Sequence, residues 1–204
     1  MKQHHDVLII GTGPAGAAAG YWLASEGFDV VMVDEKVFPR EKTCGDGLTP
    51  RAVKQINDMG LGDQLTQFHR YDGLRATGHG KSLELHWPSH PIYPQHGYVV
   101  RRRELDTMVV RNAVATGATL LEGHEALAPV LERGFVRGAT VQAKDSDTPI
   151  DIMSRYVIVA DGAIVALVAR SELSELKNGL TAQQFVVIGK RHVMTNRGLN
   201  QHLT

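Results

Sequence analysis

An α/β fold organised on a mainly parallel sheet is predicted by three features near the N-terminus. Residues 7–10 form an apolar run of strand length, and Gly11-Thr-Gly13-Pro-Ala-Gly16 follows it at once. Residues 15–25 then read as a helix, the context a G-x-G-x-x-G needs before it carries meaning. Residues 29–33 read as a second strand that ends on Asp34. Each glycine has a distinct physical role. Gly11 makes the tight turn, Gly13 lets a pyrophosphate approach the backbone, and Gly16 lets the helix pack on the strand. Pro14 suits the first helical position, where its missing N–H costs nothing. With Ala15 it opens a helix whose free N–H groups and positive dipole end suit a phosphate. Asp34, about 20 residues beyond the glycines, is placed to accept from ribose hydroxyls. An acid there repels a 2′-phosphate, which argues against NADP at this site. The pattern as a whole is that of a Rossmann-like dinucleotide fold.

The 204 residues suffice for one good domain, or one domain and part of another, and a hydrophobic content of 43% suits a globular core. Lys+Arg 22 against Asp+Glu 22 leaves no net charge, so no nucleic-acid partner is expected. No apolar run reaches membrane-spanning length, and residues 1–6 are too polar and short for a signal peptide. A single cysteine, Cys44, excludes an internal disulfide and agrees with a reducing cytoplasm. The ten histidines lack the paired helical spacing of a zinc site, so no metal is expected.

Further along, residues 36–42 are charged and interrupted by Pro39, which reads as a loop. Cys44-Gly45-Asp46-Gly47 is a second glycine-rich turn, able to bring N–H groups against something flat or anionic. Thr49 reads as an N-cap and Pro50 as the first residue of a helix running to about Met59.

Taken together, GTGPAG, Asp34 and the run PREKTCGDGLTPRAV resemble the geranylgeranyl reductase family of FAD-dependent oxidoreductases. Members of that family saturate isoprenoid double bonds in archaeal lipids, chlorophyll side chains or menaquinone tails. The resemblance implies FAD as cofactor, NAD(P)H as a possible electron donor, and a prenyl lipid or quinone as substrate. It also implies a cytoplasmic protein, with possible peripheral contact at the inner face of the membrane. In the family the Cys-Gly-x-Gly turn lies beside the flavin, which assigns Cys44, Gly45 and Gly47 to the isoalloxazine side. Arg40 and Lys42 are basic neighbours of that turn, and Glu35 adjoins the ribose acid.

Residues 73–78 and 82–87 alternate in polarity, so two strands are expected, joined at Gly78-His79-Gly80, with Leu83, Leu85 and Trp87 on one buried face. Pro88, Pro91 and Pro94 make an extended connector. Trp87, Tyr93 and His96 are candidates for lining an isoprenoid channel, or ordinary core and rim aromatics. A helix from about Asp106 to Thr116 buries Leu105, Met108, Val109, Ala113 and Val114 and ends at Gly117. Arg102 with Leu105-Asp106 matches a flavoprotein pattern in which the arginine meets the cofactor's phosphates. Arginines at a helix start oppose the dipole, which calls for an anionic partner.

Residues 118–121 read as a third parallel strand. Ala126 follows, where the family's backbone meets adenine. A hairpin is expected across 128–141, then an apolar strand at 156–160 that closes on Asp161-Gly162, the family's DG motif. Beyond Gly162 the resemblance weakens, and the family's later Gly-Asp motif is missing. The expected organisation is therefore a three-layer FAD-binding domain over 1–162, with 71–97 as a strand-rich excursion toward the substrate side. Residues 163–204 are then a divergent remnant of a mixed β substrate domain. The resemblance covers four-fifths of this chain but only the N-terminal half of a usual member, so a truncated copy or a piece of a longer protein is expected. Two rival readings stand beside the reductase: a flavin-dependent aromatic monooxygenase or halogenase, against which the Cys-Gly-Asp-Gly turn speaks, and an inactive FAD-binding remnant. No general acid is identified, because the flavin would carry the redox chemistry.

Overall fold

A computed structural model describes residues 4–133, 135–162 and, in backbone only, 186–188. The described residues up to Phe38 and from Val109 onward form one compact unit, and Pro39–Met108 form a second. The expected excursion at 71–97 falls inside the second unit, which extends beyond it on both sides.

The first unit is built on a mixed sheet. Strand β1 (His4–Ile10) pairs parallel with β2 (Val30–Asp34) and with β11 (Ile150–Val159), and β2 pairs parallel with β8 (Thr119–Glu122). Strand β9 (His124–Glu132) and strand β10 (Phe135–Ala143) form the expected hairpin, and β10 joins β11 antiparallel. Strand β12 (Val186–Ile188) also pairs antiparallel with β11, inside the range expected to leave this domain; the rest of 163–204 lies outside the described residues. β1 and β2 are buried on both faces, as their unbroken apolar runs require. One face carries Leu8, Ile10, Val31 and Val33, packed with Val141 and Val157. The other receives helix α1 (Pro14–Ser25), where Gly20 sits against the Met32 side chain.

In the second unit, β3 (Gly47–Leu48) and β4 (His69–Tyr71) both pair with β7 (Gly97–Val99). Helix α2 (Pro50–Asp58) starts at Thr49 and Pro50 as expected, but the Thr49 side chain makes no capping hydrogen bond. A short α3 (Gly62–Leu65) follows. Strands β5 (Gly73–Gly78) and β6 (Lys81–His86) form the expected hairpin, and both residues of its tight turn, His79 and Gly80, have positive φ. The expected burial is overturned for Leu83 and Leu85, which with Leu74 are each at least half exposed, whereas Trp87, just past β6, is partly buried. Alternation puts these residues on one face, but two strands alone provide nothing to cover it.

Helix α4 (Arg102–Thr116) contains the boundary between the units. Leu105, Val109 and Ala113 are buried as expected, whereas Val114 is exposed and the unexpected Val110 is fully buried. At 3.6 residues per turn, Val110 shares a stripe with Asp106 and Ala113, while Val114 falls on its edge.

Candidate FAD site

Gly11 leaves β1 with φ +86°, and a Cβ there would lie 2.6 Å from the Ala160 carbonyl oxygen. A Cβ at Gly16 would lie 1.9 Å from the Gly11 carbonyl oxygen. The chain's own packing therefore requires glycine at both positions. Gly13 differs: as N-cap of α1 it has φ −62° and ψ −177°, a conformation open to any residue. Its lack of a side chain leaves the helix start without a side-chain cap, and Pro14 and Ala15 are exposed there. An uncapped helix N-terminus behind a bare backbone turn fits a diphosphate, so the residues present fit FAD on this side.

Asp34 does something that its spacing does not reveal. Its Oδ2 accepts from the Thr12 backbone N–H (2.9 Å) and from the Thr12 hydroxyl (2.8 Å), and its Oδ1 accepts from the Lys36 N–H (2.9 Å). Thr12 is fully buried and Asp34 nearly so. The carboxylate is a strut that holds the glycine turn against the end of β2. Glu35 is exposed and pairs with Lys36 at 3.2 Å. The Asp161-Gly162 motif follows β11, and the Ala160 N–H donates to the Ile10 carbonyl at 2.7 Å. The Asp161 backbone consequently abuts Gly11, and the two motifs meet at the C-terminal ends of neighbouring strands. Ala126 lies on β9 opposite Val141, partly buried against the sheet core.

The second unit holds a separate cluster. The Val100 N–H donates to the Asp46 carbonyl at 2.8 Å, and the Arg102 N–H donates to Asp46 Oδ1 at 3.1 Å. Asp46 thus caps α4 from the Cys44–Gly47 side of β3. Asp106 is fully buried, and Arg102 donates to it twice, Nε to Oδ1 at 2.8 Å and Nη2 to Oδ2 at 3.0 Å. Arg40 Nη1 stands 3.2 Å from the same Oδ2. Hydrogen bonding to Asp106 holds the Arg102 guanidinium above its ordinary pKa against the opposing effect of burial, with the exposed Cys44 thiol adding a smaller push in the same direction. Arg103 pairs with Glu41 at 3.3 Å. Carboxylates of the chain itself therefore answer the basic helix start: Asp106 for Arg102, Glu41 for Arg103 and Asp46 for the backbone. Sequence reasoning missed Thr12, Asp46 and Asp106 as working residues, although all three stood inside the motifs it used.

The channel candidates are not brought together. His96 meets Tyr98 edge-on and lines a cleft of about 460 Å³ with Asn57 and Asp63, a cleft that neither Trp87 nor Tyr93 lines. Burial, then Arg70, lowers the His96 pKa against the opposing charge of Asp72. Trp87 packs beside Tyr71, and Tyr93 stacks on His90 at 4.4 Å.

The family described as FAD binding domain matches residues 4–189. The chain belongs to that family. Among curated relatives, this FAD-binding domain is 43% identical over 158 residues to the menaquinone reductase of Mycobacterium tuberculosis, covering 78% of this chain and 38% of the relative. It is 32% identical over 163 residues to the digeranylgeranylglycerophospholipid reductase of Methanosphaerula palustris, covering 79% and 39%. A geranylgeranyl bacteriochlorophyll reductase-like structure from Thermoplasma acidophilum superposes with TM-score 0.67 at 25% identity, over 79% of this chain and 40% of the other. A myxobacterial chondrochloren halogenase superposes with TM-score 0.73 at 24% identity, over 79% and 38%, a likeness of fold alone. The chain spans about 38% of the length of the menaquinone reductases it matches. Among the described residues, no helix is long and apolar enough to cross a membrane.

Proposed function

We propose that this chain is the cofactor-holding part of a flavin-dependent reductase that saturates carbon–carbon double bonds of a geranylgeranyl or polyprenyl group on a lipid or quinone. The observation that carries this reading is the 43% identity to a menaquinone reductase over 158 residues, 78% of this chain. Bound FAD would supply two-electron chemistry, a hydride taken from NAD(P)H (or its electrons from another donor) going to one alkene carbon while a proton from solvent goes to the other. In this reading Gly11, Gly13, Pro14, Ala15 and Gly16 receive the diphosphate. Asp34 keeps the turn in shape through Thr12, Glu35 stands on the ribose side, and Ala126 meets adenine. Asp161 and Gly162 close the first unit's part. Cys44, Gly45 and Gly47 face the isoalloxazine, with Arg40 as a cationic neighbour, and Arg102 supports the ADP half at the cofactor's phosphates. A prenyl substrate makes peripheral contact with a membrane surface part of the proposal.

The test is the visible absorption spectrum of the purified chain after adding FAD and removing the excess. A retained oxidised-flavin band is expected. Anaerobic incubation with menaquinone and NADPH should then add one H₂ to a prenyl double bond, read by mass spectrometry. Folded protein that retains no flavin sinks the reading. A flavin-loaded chain that leaves the alkene intact and forms a hydroperoxyflavin in air turns it to the monooxygenase or halogenase alternative.

A further inference from the structure

We propose that Asp106 is a positioning residue for Arg102, setting its guanidinium against the turn that carries Cys44; this rests on the flavin reading above. A fully buried carboxylate is retained only where its oxygens are hydrogen-bonded and its charge is paired. Asp106 meets that condition through a bidentate fork from Arg102, one helical turn before it on the same face of α4. Arg40 reaches Oδ2 from the loop after β2, so one carboxylate ties that loop to the first turn of α4. Asp46 completes the frame. Its carboxylate holds the Arg102 backbone while Asp106 holds the side chain, and its own backbone belongs to the Cys-Gly-Asp-Gly turn. The fork occupies Nε and Nη2, leaving the rest of the guanidinium's donors for an acceptor on the cofactor. A lysine, with a point charge on a flexible stem, could not be fixed in this way.

FAD affinity, measured by quenching of flavin fluorescence, tests this in wild type, Asp106→Asn, Arg102→Gln and the double variant. Asp106→Asn should weaken binding about tenfold. The double variant should bind little more weakly than Arg102→Gln alone, because only the Arg40 tie is then left for Asp106 to lose. Losses that simply add overturn the proposal. If Asp106→Asn does not fold, Asp106→Glu takes its place: it keeps the charge but displaces the fork, and its smaller loss must likewise vanish in the Arg102→Gln background. A second readout needs no cofactor. Cys44 is the only cysteine and stands in the turn whose Asp46 holds the Arg102 backbone, so its alkylation rate by iodoacetamide reports on that frame. Asp106→Asn and Arg102→Gln should each shift that rate, and Asp106→Asn should lose its effect in the Arg102→Gln background. A rate that Arg102→Gln moves and Asp106→Asn leaves alone, or that neither moves, overturns the proposal. Should wild type bind no FAD, the flavin reading falls, and the alkylation cycle still decides the role of Asp106.

Discussion

The pair β1–β2 and the pair β5–β6 each rest on a clear strand pattern, yet they end in opposite environments. Leu8, Ile9, Val31 and Met32 are fully buried, with α1 on one side of their sheet and further apolar side chains on the other. Leu74, Leu83 and Leu85 line one face of a two-stranded hairpin and stay at least half exposed, while Arg75 and Glu84 pair across the opposite face. The difference teaches what a hydrophobic pattern encodes. An unbroken run demands cover on both faces, and a parallel sheet with crossover helices supplies it. Alternation only sorts side chains to two faces, and coverage then depends on a layer that those residues do not contribute.

Substitutions can break or sharpen this contrast. The largest effect is expected from Gly16→Val, because any Cβ there collides with the Gly11 backbone rather than with a flexible side chain. It should cost more than about 4 kcal/mol in urea unfolding, or prevent folding, and abolish FAD retention. An undiminished midpoint would refute the close packing of α1 on the turn. Next come two chemically identical truncations at the two ends of the comparison. Leu8→Ala, at a fully buried position, should cost about 2–5 kcal/mol. Leu83→Ala, 57% exposed, should stay within about 0.5 kcal/mol. Equal costs would mean that the hairpin face is covered in solution, and the contrast would collapse. Between these extremes, Asp34→Ala strands the buried Thr12 N–H and hydroxyl and should cost about 1–3 kcal/mol. Because the strut shapes the glycine turn, the same variant should lower FAD affinity in a fluorescence titration. A stability loss with unchanged affinity would separate the strut from the cofactor site.

Most elements of the first unit were legible because their signals are local. Residues 7–10, the glycine turn and Asp34 announce strand, turn, helix and strand through spacing within one short stretch of chain. The hairpin turn at His79-Gly80 was equally readable. Less legible were features that join distant segments. The meeting of Gly11 with Asp161 needs β11 to lie beside β1, and the sharing of Asp106 by Arg40 and Arg102 needs a loop to return to a helix start. Spacing along α4 hinted at the Arg102–Asp106 pair but carried nothing about Arg40.

By itself, then, the sequence determined the α/β class, the order of the elements, the nucleotide turn and the turn at Cys44, all of which follow from backbone sterics and short-range periodicity. Only the tertiary structure decided that Asp34 directs its carboxylate to Thr12, that Asp106 gathers two arginines, and that the leucines of β5–β6 lie open. Burial and ion pairing depend on which distant segments arrive at a residue, and that is a property of the folded chain.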